Sequence, residues 1–271
     1  MTRLGRFVII TVAVSLSVGT LAACSASQSR ESTEAPSTTT TAAPATTTEP
    51  PTTTTTAPPP PPVWRVGSEG AEVTHVQQRL TALGYRPGAV DGRYGAATAS
   101  AVLAFQKHEG LLRDGAAGPQ TMAAIDAPTV GSGPQGGPGL EIDLDRQIMF
   151  VVALDGTHTI LNVSTGNNES YRHPAGYTAV AVTPKGSFAV GRKIDAEERA
   201  PLGVLYRPMY FKGGFAIHGS RSVPAYPASH GCVRVSYEDE DWLFPAISRG
   251  TPVTIYGGGD QPAPNTDQPG A

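Results

Sequence analysis

The sequence predicts a multidomain α and β chain: a disordered N-terminal stretch, a small helical module, then a mainly-β domain. Three observations predict it. Residues 32–62 are almost entirely Thr, Pro and Ala. Between Trp64 and Ile125 apolar residues recur at helical spacing, and beyond Leu140 the spacing becomes that of strands. A chain of 271 residues has room for two modest domains. Its 31 glycines and 25 prolines fall just short of a wholly disordered composition and gather in the connecting stretches. A net charge of −3 without a long Lys/Arg run gives no footprint for nucleic acid. An apolar content of 39% excludes a polytopic membrane protein, and two cysteines exclude a disulfide scaffold and a Cys₄ zinc site.

At the N-terminus, Arg3 and Arg6 precede an apolar run from Phe7 to Val18, followed by Gly19-Thr-Leu-Ala-Ala-Cys24. A short positive segment, an apolar stretch and small residues describe an export signal over residues 1–23. As a membrane span, the run reaches only the lower limit of about 17 residues and carries Ser15, Ser17, Gly19 and Thr20. Leu21-Ala22-Ala23-Cys24 resembles the lipobox of bacterial lipoproteins. That implies a lipidated Cys24 on the outer face of the cytoplasmic membrane; plain secretion and an uncleaved anchor are the alternatives. Residues 24–63 then form a Thr/Pro-rich disordered spacer biased towards polyproline II. At about 3.1 Å per residue, roughly 38 residues reach on the order of 120 Å, from a membrane into a cell wall. With Cys24 lipidated, Cys232 is the single thiol of an exported protein. Such a thiol is kept for catalysis, or it is buried and inert.

In residues 64–126, Val73, Val76, Leu80 and Leu83 follow helical spacing and Gly84 sits at a stop position. Asp91-Gly-Arg-Tyr-Gly-Ala-Ala-Thr98 and Asp114-Gly-Ala-Ala-Gly-Pro-Gln-Thr121 share the pattern D-G-x-x-G-x-x-T. Each is an Asp-Gly turn leading into a helix start, with Asp, Gly and Thr as turn and cap residues. Ala101, Val102, Phe105 and Gln106 continue a helix to Gly110. With Val76-Gln-Gln-Arg-Leu80 and Leu83-Gly-Tyr85, these residues resemble the three-helix peptidoglycan-binding domain appended to wall enzymes. The resemblance implies a three-helix bundle and a wall polymer as partner. Residues 127–139 read as a flexible linker.

Residues 140–256 carry strand patterns. Leu140-Glu-Ile-Asp-Leu144 alternates apolar and polar, and Gln147–Ala153 reads as a buried strand. Asp155-Gly156 leads to a second run, Thr159–Ser164, as in a hairpin. Ser187–Val190, Gly214–Ile217 and Pro252–Tyr256 are further short strands. A helix is expected from Asp239 to Arg249, and residues 257–271 read as a disordered tail.

Two clusters carry chemistry: Ile217-His-Gly-Ser220 and Ser229-His-Gly-Cys-Val-Arg234. A lone cysteine beside histidines suits nucleophilic acyl transfer. The thiolate attacks, a histidine removes its proton and returns it to the leaving amine, and a third group orients that histidine. Spacing leaves open which histidine is the base. His230, two residues from Cys232, points the same way in an extended segment. A zinc site built from His218, His230 and Cys232 lacks the His-x-x-x-His or Cys-x-x-Cys spacing. An interchain disulfide and an inert thiol are the other readings.

The two clusters resemble the signature of the L,D-transpeptidase catalytic domain, as do Thr183-Pro-Lys-Gly-Ser-Phe188, Ile142-Asp-Leu-Asp-Arg-Gln147 and Gly250-Thr-Pro-Val-Thr-Ile255. The resemblance spans about residues 140–256 and implies a β-sandwich-like domain. It assigns Cys232 as nucleophile, His218 as proton acceptor and donor, and the Gly219 carbonyl as the group orienting His218. Backbone N–H groups of Gly231 and Cys232 are expected to hold the oxyanion. His230 and Ser229 are expected at the site, and Ser220 in local hydrogen bonds. Arg234 either steadies the loop or meets a substrate carboxylate. Tyr206, Tyr210 and Phe211 either form a flap or simply pack. No metal or organic cofactor is implied. The implied reaction is a ping-pong transfer between peptidoglycan stem peptides, giving 3→3 cross-links with release of D-Ala. Hydrolysis of the same acyl-enzyme, a protein amine as acceptor, and a non-catalytic wall-binding scaffold are the alternatives. The expected chain is an exported, lipid-anchored monomer.

Overall fold

The computed structural model describes residues 61–129 and 132–259. The export signal, Cys24, the spacer as far as residue 60 and residues 260–271 lie outside the described residues. Among the described residues, no helix is long and apolar enough to cross a membrane.

Three helices form the first body: α1 (Ala71–Ala82), α2 (Ala96–Glu109) and α3 (Pro119–Asp126). Val73, Val76, Leu80, Val102, Phe105 and Ile125 face inward and form its core. Gly110 ends α2 with φ 70°, the left-handed conformation expected of a glycine C-cap. The D-G-x-x-G-x-x-T repeat has a different basis from the one its residue types suggest. The helix N-caps are Gly95 and Gly118, neither with a side-chain cap. Each repeat instead wraps around a buried glutamine from the preceding helix. The Gln77 amide donates to Asp91 (3.0 Å), the Arg93 carbonyl (3.0 Å) and Thr98 (3.2 Å), and accepts from Asp91 and Gly92 N–H. Gln106 repeats the set with Asp114, the Ala116 carbonyl, Thr121 and the N–H groups of Asp114 and Gly115. Each side chain thus satisfies three backbone groups of the turn that follows it.

The second body is mainly β. Strands β1 (Gly139–Asp143), β2 (Ile148–Val152), β3 (His158–Asn162), β4 (Ser170–Arg172), β5 (Thr178–Val180) and β6 (Gly186–Ala189) come first. They are followed by β7 (Glu197–Ala200), β8 (Gly203–Lys212), β9 (Phe215–Ser220), β10 (Val233–Ser236), helix α4 (Tyr237–Ala246) and β11 (Pro252–Tyr256). A five-stranded sheet runs β3-β2-β1-β11-β6, a four-stranded sheet runs β10-β9-β8-β7, and β4-β5 is a separate hairpin. Leu140, Ile142, Met149, Val253 and Ile255 meet Met209, Phe211, Ile217, Val233 and Val235 in one core, closed by Leu243 and Phe244 of α4. This is the sandwich-like arrangement expected from the sequence.

Strand β2 explains its own unbroken apolar run. Met149 and Val151 face the core between the sheets, whereas Ile148, Phe150 and Val152 join the core of the helical body together with Ile160 of β3. A strand buried on both faces needs apolar residues at every position. Fully burying four such side chains contributes on the order of 6–12 kcal/mol gross, enough to fix the helices against the sheet. Residues 127–139, read from composition as a flexible linker, are fastened along the described part. Gln135 and Gly136 N–H donate to the buried Glu141 carboxylate (2.7 and 2.8 Å), and Thr129 donates to Glu109. Further ties cross the junction. Ile160 N–H donates to the Gly84 carbonyl (2.9 Å), and Arg86 reaches Asp239 (3.3 Å) and stacks on Trp242.

Candidate active site

Strands β9 and β10 lie parallel and in register, with Val233 opposite Ile217 and Arg234 opposite His218. Cys232, one residue before β10, is therefore level with Ala216, and residues two apart share a face. Cys232, His218 and Arg234 thus stand on one face of the sheet, and all three line a cavity of 480 Å³. Sequence adjacency points from Cys232 to His230; the sheet register puts His218 on the same face as well, and both histidines line the cavity.

His218 is 4% exposed. Its Nδ1 lies 2.9 Å from the Gly219 carbonyl, which can only accept, so Nδ1 carries the proton and Nε2 is left as the base. Burial holds the imidazole down at about 4, against a weaker opposing effect of that carbonyl. Gly219 has no room for a side chain: a Cβ would lie 2.7 Å from Tyr206 and 3.1 Å from Glu240. Glu240 itself is fully buried without a hydrogen-bond partner among the described residues, and burial pushes its carboxyl up to about 9. It therefore stays protonated and uncharged behind the histidine strand at neutral pH.

Cys232 is partly exposed and its thiol lies 3.9 Å from the Gly214 carbonyl. Burial raises it above the ordinary thiol value, opposed by the Ala216 N–H and the Arg234 charge. At neutral pH the resting site thus holds a neutral thiol beside a neutral imidazole. Cys232 is expected to react slowly with iodoacetamide at pH 7, its rate rising only above about pH 8.5, where an ordinary thiol ionises. A fast plateau from pH 5 to 8 would instead reveal a thiolate–imidazolium pair.

The loop before β10 is tied tightly. Ser229 Oγ donates to the Cys232 carbonyl (2.5 Å) and accepts from Gly231 N–H (3.0 Å). Thr183 Oγ1 donates to the Gly231 carbonyl (2.8 Å) and accepts from Gly166 N–H (2.9 Å). Of the two expected oxyanion donors, Gly231 N–H is engaged by Ser229 Oγ in this arrangement of the loop. Ser220 bonds locally, donating to the Ser222 carbonyl (3.1 Å). Arg234 has its backbone paired with Ser164, while its guanidinium makes no ion pair or hydrogen bond among the described residues.

The sequence reading missed the walls. One is the β4–β5 hairpin, which brings His173 and Tyr177, stacked with ring centroids 4.4 Å apart, to the cavity. Tyr171 of that hairpin packs edge-on against His230 at 4.6 Å. The other wall is the β7–β8 connection, with Leu202 and Val204. Tyr206, Tyr210 and Phe211 do not line the cavity. Tyr206 and Tyr210 donate to Asp241 and Glu198, and Phe211 belongs to the core. A histidine and aromatic residues clustered between 171 and 177 were the available signal. Among the described residues, no three His, Cys, Asp or Glu side chains converge as a metal-binding group.

Comparison with known proteins agrees with this geometry. Residues 69–125 match the family model of a peptidoglycan binding domain, and residues 138–255 match that of the L,D-transpeptidase catalytic domain. The crystal structure of an L,D-transpeptidase from Xylanimonas cellulosilytica is 48% identical with a TM-score of 0.69, covering 74% of this chain and 100% of that one. An L,D-transpeptidase (Yku) from Stackebrandtia nassauensis is 23% identical with a TM-score of 0.41, covering 74% and 98%. Among curated proteins, N-acetylmuramoyl-L-alanine amidase CwlM of Mycobacterium tuberculosis is 39% identical over 56 residues, 21% of this chain. This chain spans only 14% of that amidase. At 48% identity along the full length of a solved relative, the chain belongs to the L,D-transpeptidase family.

Proposed function

We propose that the chain is a cysteine-dependent L,D-transpeptidase that forms 3→3 cross-links between peptidoglycan stem peptides. The observation that carries this is the shared cavity of Cys232 and His218, with His218 Nε2 left free to act as base. As Sγ attacks the carbonyl between the third residue and D-Ala, its proton passes to Nε2 and the oxygen becomes an oxyanion beside Cys232 N–H. The C–N bond then breaks, the proton moves to the departing D-Ala amine, and a thioester remains. The side-chain amine of a second stem attacks the thioester and gives its proton to Nε2. The C–S bond breaks, and the proton returns to the sulfur.

The lining suits an anionic peptide. Among the described residues, His173, His218, His230 and Arg234 face the cavity and no Asp or Glu does. Arg234, unpaired and fork-shaped, is placed to take a stem carboxylate. The N-terminal sequence supports export, lipidation at Cys24 and reach into the wall through the spacer, with the helical body holding the polymer. A carbapenem is expected to acylate Cys232. Intact-mass analysis should show one adduct on the wild-type chain and none on Cys232→Ala. An unmodified mass in a turning-over enzyme would refute the thioester chemistry.

A further inference from the structure

The strongest unexplained group lies outside the cavity. Lys107, on α2 of the helical body, is 1% exposed, yet no carboxylate among the described residues pairs with it. Its Nζ donates to Asn162 Oδ1 (2.5 Å) and to the carbonyls of Val163 (2.9 Å) and Gln147 (3.1 Å), with the Pro224 carbonyl at 3.4 Å. A lysine on a helix surface normally reaches water. Burying one is tolerable only where its donors are all met, as they are here.

The acceptors say what the lysine holds. Gln147 and Val163 belong to the segments flanking β2 and β3, on the sheet that packs against the helices. Asn162 relays the contact, its amide donating to the Val223 carbonyl (3.1 Å). Val223 and Pro224 lie in the segment that runs from the His218 strand to Ser229. The same segment is held by Ser164 Oγ donating to the Tyr226 carbonyl (2.8 Å). Ala228 and Ser229 N–H both donate to the Thr165 carbonyl (2.9 Å). Ser229 in turn closes the loop that carries Cys232. Hydrogen bonds and the 223–229 backbone that joins them therefore lead from the helix that carries Lys107 to the Cys232 loop.

We infer that Lys107 is a positioning residue for the Cys232 loop, so that the helical body completes the catalytic site as well as binding wall polymer. For turnover this rests on the reaction proposed above; for the geometry of the thiol it does not. The test uses the full chain with Lys107→Met, which keeps the stem and removes the donors. Asn162→Ala cuts the relay to Val223 without touching the helices. Leu80→Ala destabilises the helical core away from the network and serves as the comparison. All are assayed below their melting temperatures.

Lys107→Met and Asn162→Ala are expected to lower kcat about 10- to 100-fold with KM within about twofold. They should also change the rate and pH profile of Cys232 alkylation by iodoacetamide. Leu80→Ala should lower the melting temperature with kcat and alkylation unchanged. Wild-type kcat and alkylation in folded Lys107→Met would overturn the inference, as would an equal loss in Leu80→Ala. Should Lys107→Met fail to fold, Asn162→Ala decides by the same two readouts. If the wild type shows no transpeptidation while the alkylation profiles still separate, the proposed reaction fails and the positioning role stands.

Discussion

Replacing Cys232 by alanine is expected to lower turnover by about 10⁴-fold or more while leaving the melting temperature nearly unchanged. The two halves of this expectation have separate causes. Ser220 and Ser236 share this face of β9 and β10, but their hydroxyls donate to the Ser222 carbonyl and to Asp239 and do not replace the thiol, so no acyl-enzyme forms. The thiol's contacts are weak, a 3.9 Å approach to the Gly214 carbonyl and one to the Ala216 N–H, and the loop is held by Ser229 and Thr183 rather than by the sulfur. Cys232→Ser should be almost as inactive. A hydroxyl is a far weaker acid than a thiol, and an imidazole held at about 4 is a weak base for it. Steady-state release of D-Ala and a thermal melt check both halves.

Gly231→Ala is expected to cost about 2–4 kcal/mol of stability and at least about 100-fold in kcat/KM. Gly231 has φ 129°, a conformation that side chains rarely adopt. A Cβ there would lie 2.6 Å from the Phe215 ring and 2.8 Å from the Val182 carbonyl. The carbonyl cannot yield, because Val182 adjoins Thr183, which holds Gly231 in place. The loop must therefore shift and carry Cys232 away from His218. Gly156→Ala is the comparison: with φ 84° and open space around it, it should cost about 1 kcal/mol and no activity. Melting curves and kcat/KM for both variants check the contrast.

The motif residues that the structure gathers at the cavity were legible because their signal is local. His218-Gly219 and Ser229-His-Gly-Cys232 are short motifs whose residue types carry the chemistry, and Gly219 and Gly231 mark backbone sites without room for a side chain. The helices and their Gly84 and Gly110 stops were legible for the same reason. What escaped depends on contacts distant in sequence. The repeat was visible, but its glutamines sit 14 residues before Asp91 and 8 before Asp114, so no common period includes them. The apolar run of β2 announced burial without saying that a second body covers one face. Lys107 reads as a surface charge until the sheet is placed over it. Strands of three residues, such as β4 and β5, have no periodicity to detect, so the only sequence signal for the His173 and Tyr177 wall was the cluster of aromatic residues and a histidine between 171 and 177.

The most direct measurement incubates the purified chain with disaccharide-tetrapeptide and reads the products by mass spectrometry, with Cys232→Ala as control. A cross-linked dimer, lighter than two monomers by one D-Ala and absent with the control, is the expected result. A monomer that has only lost D-Ala would show that water resolves the thioester, and would contradict transpeptidation.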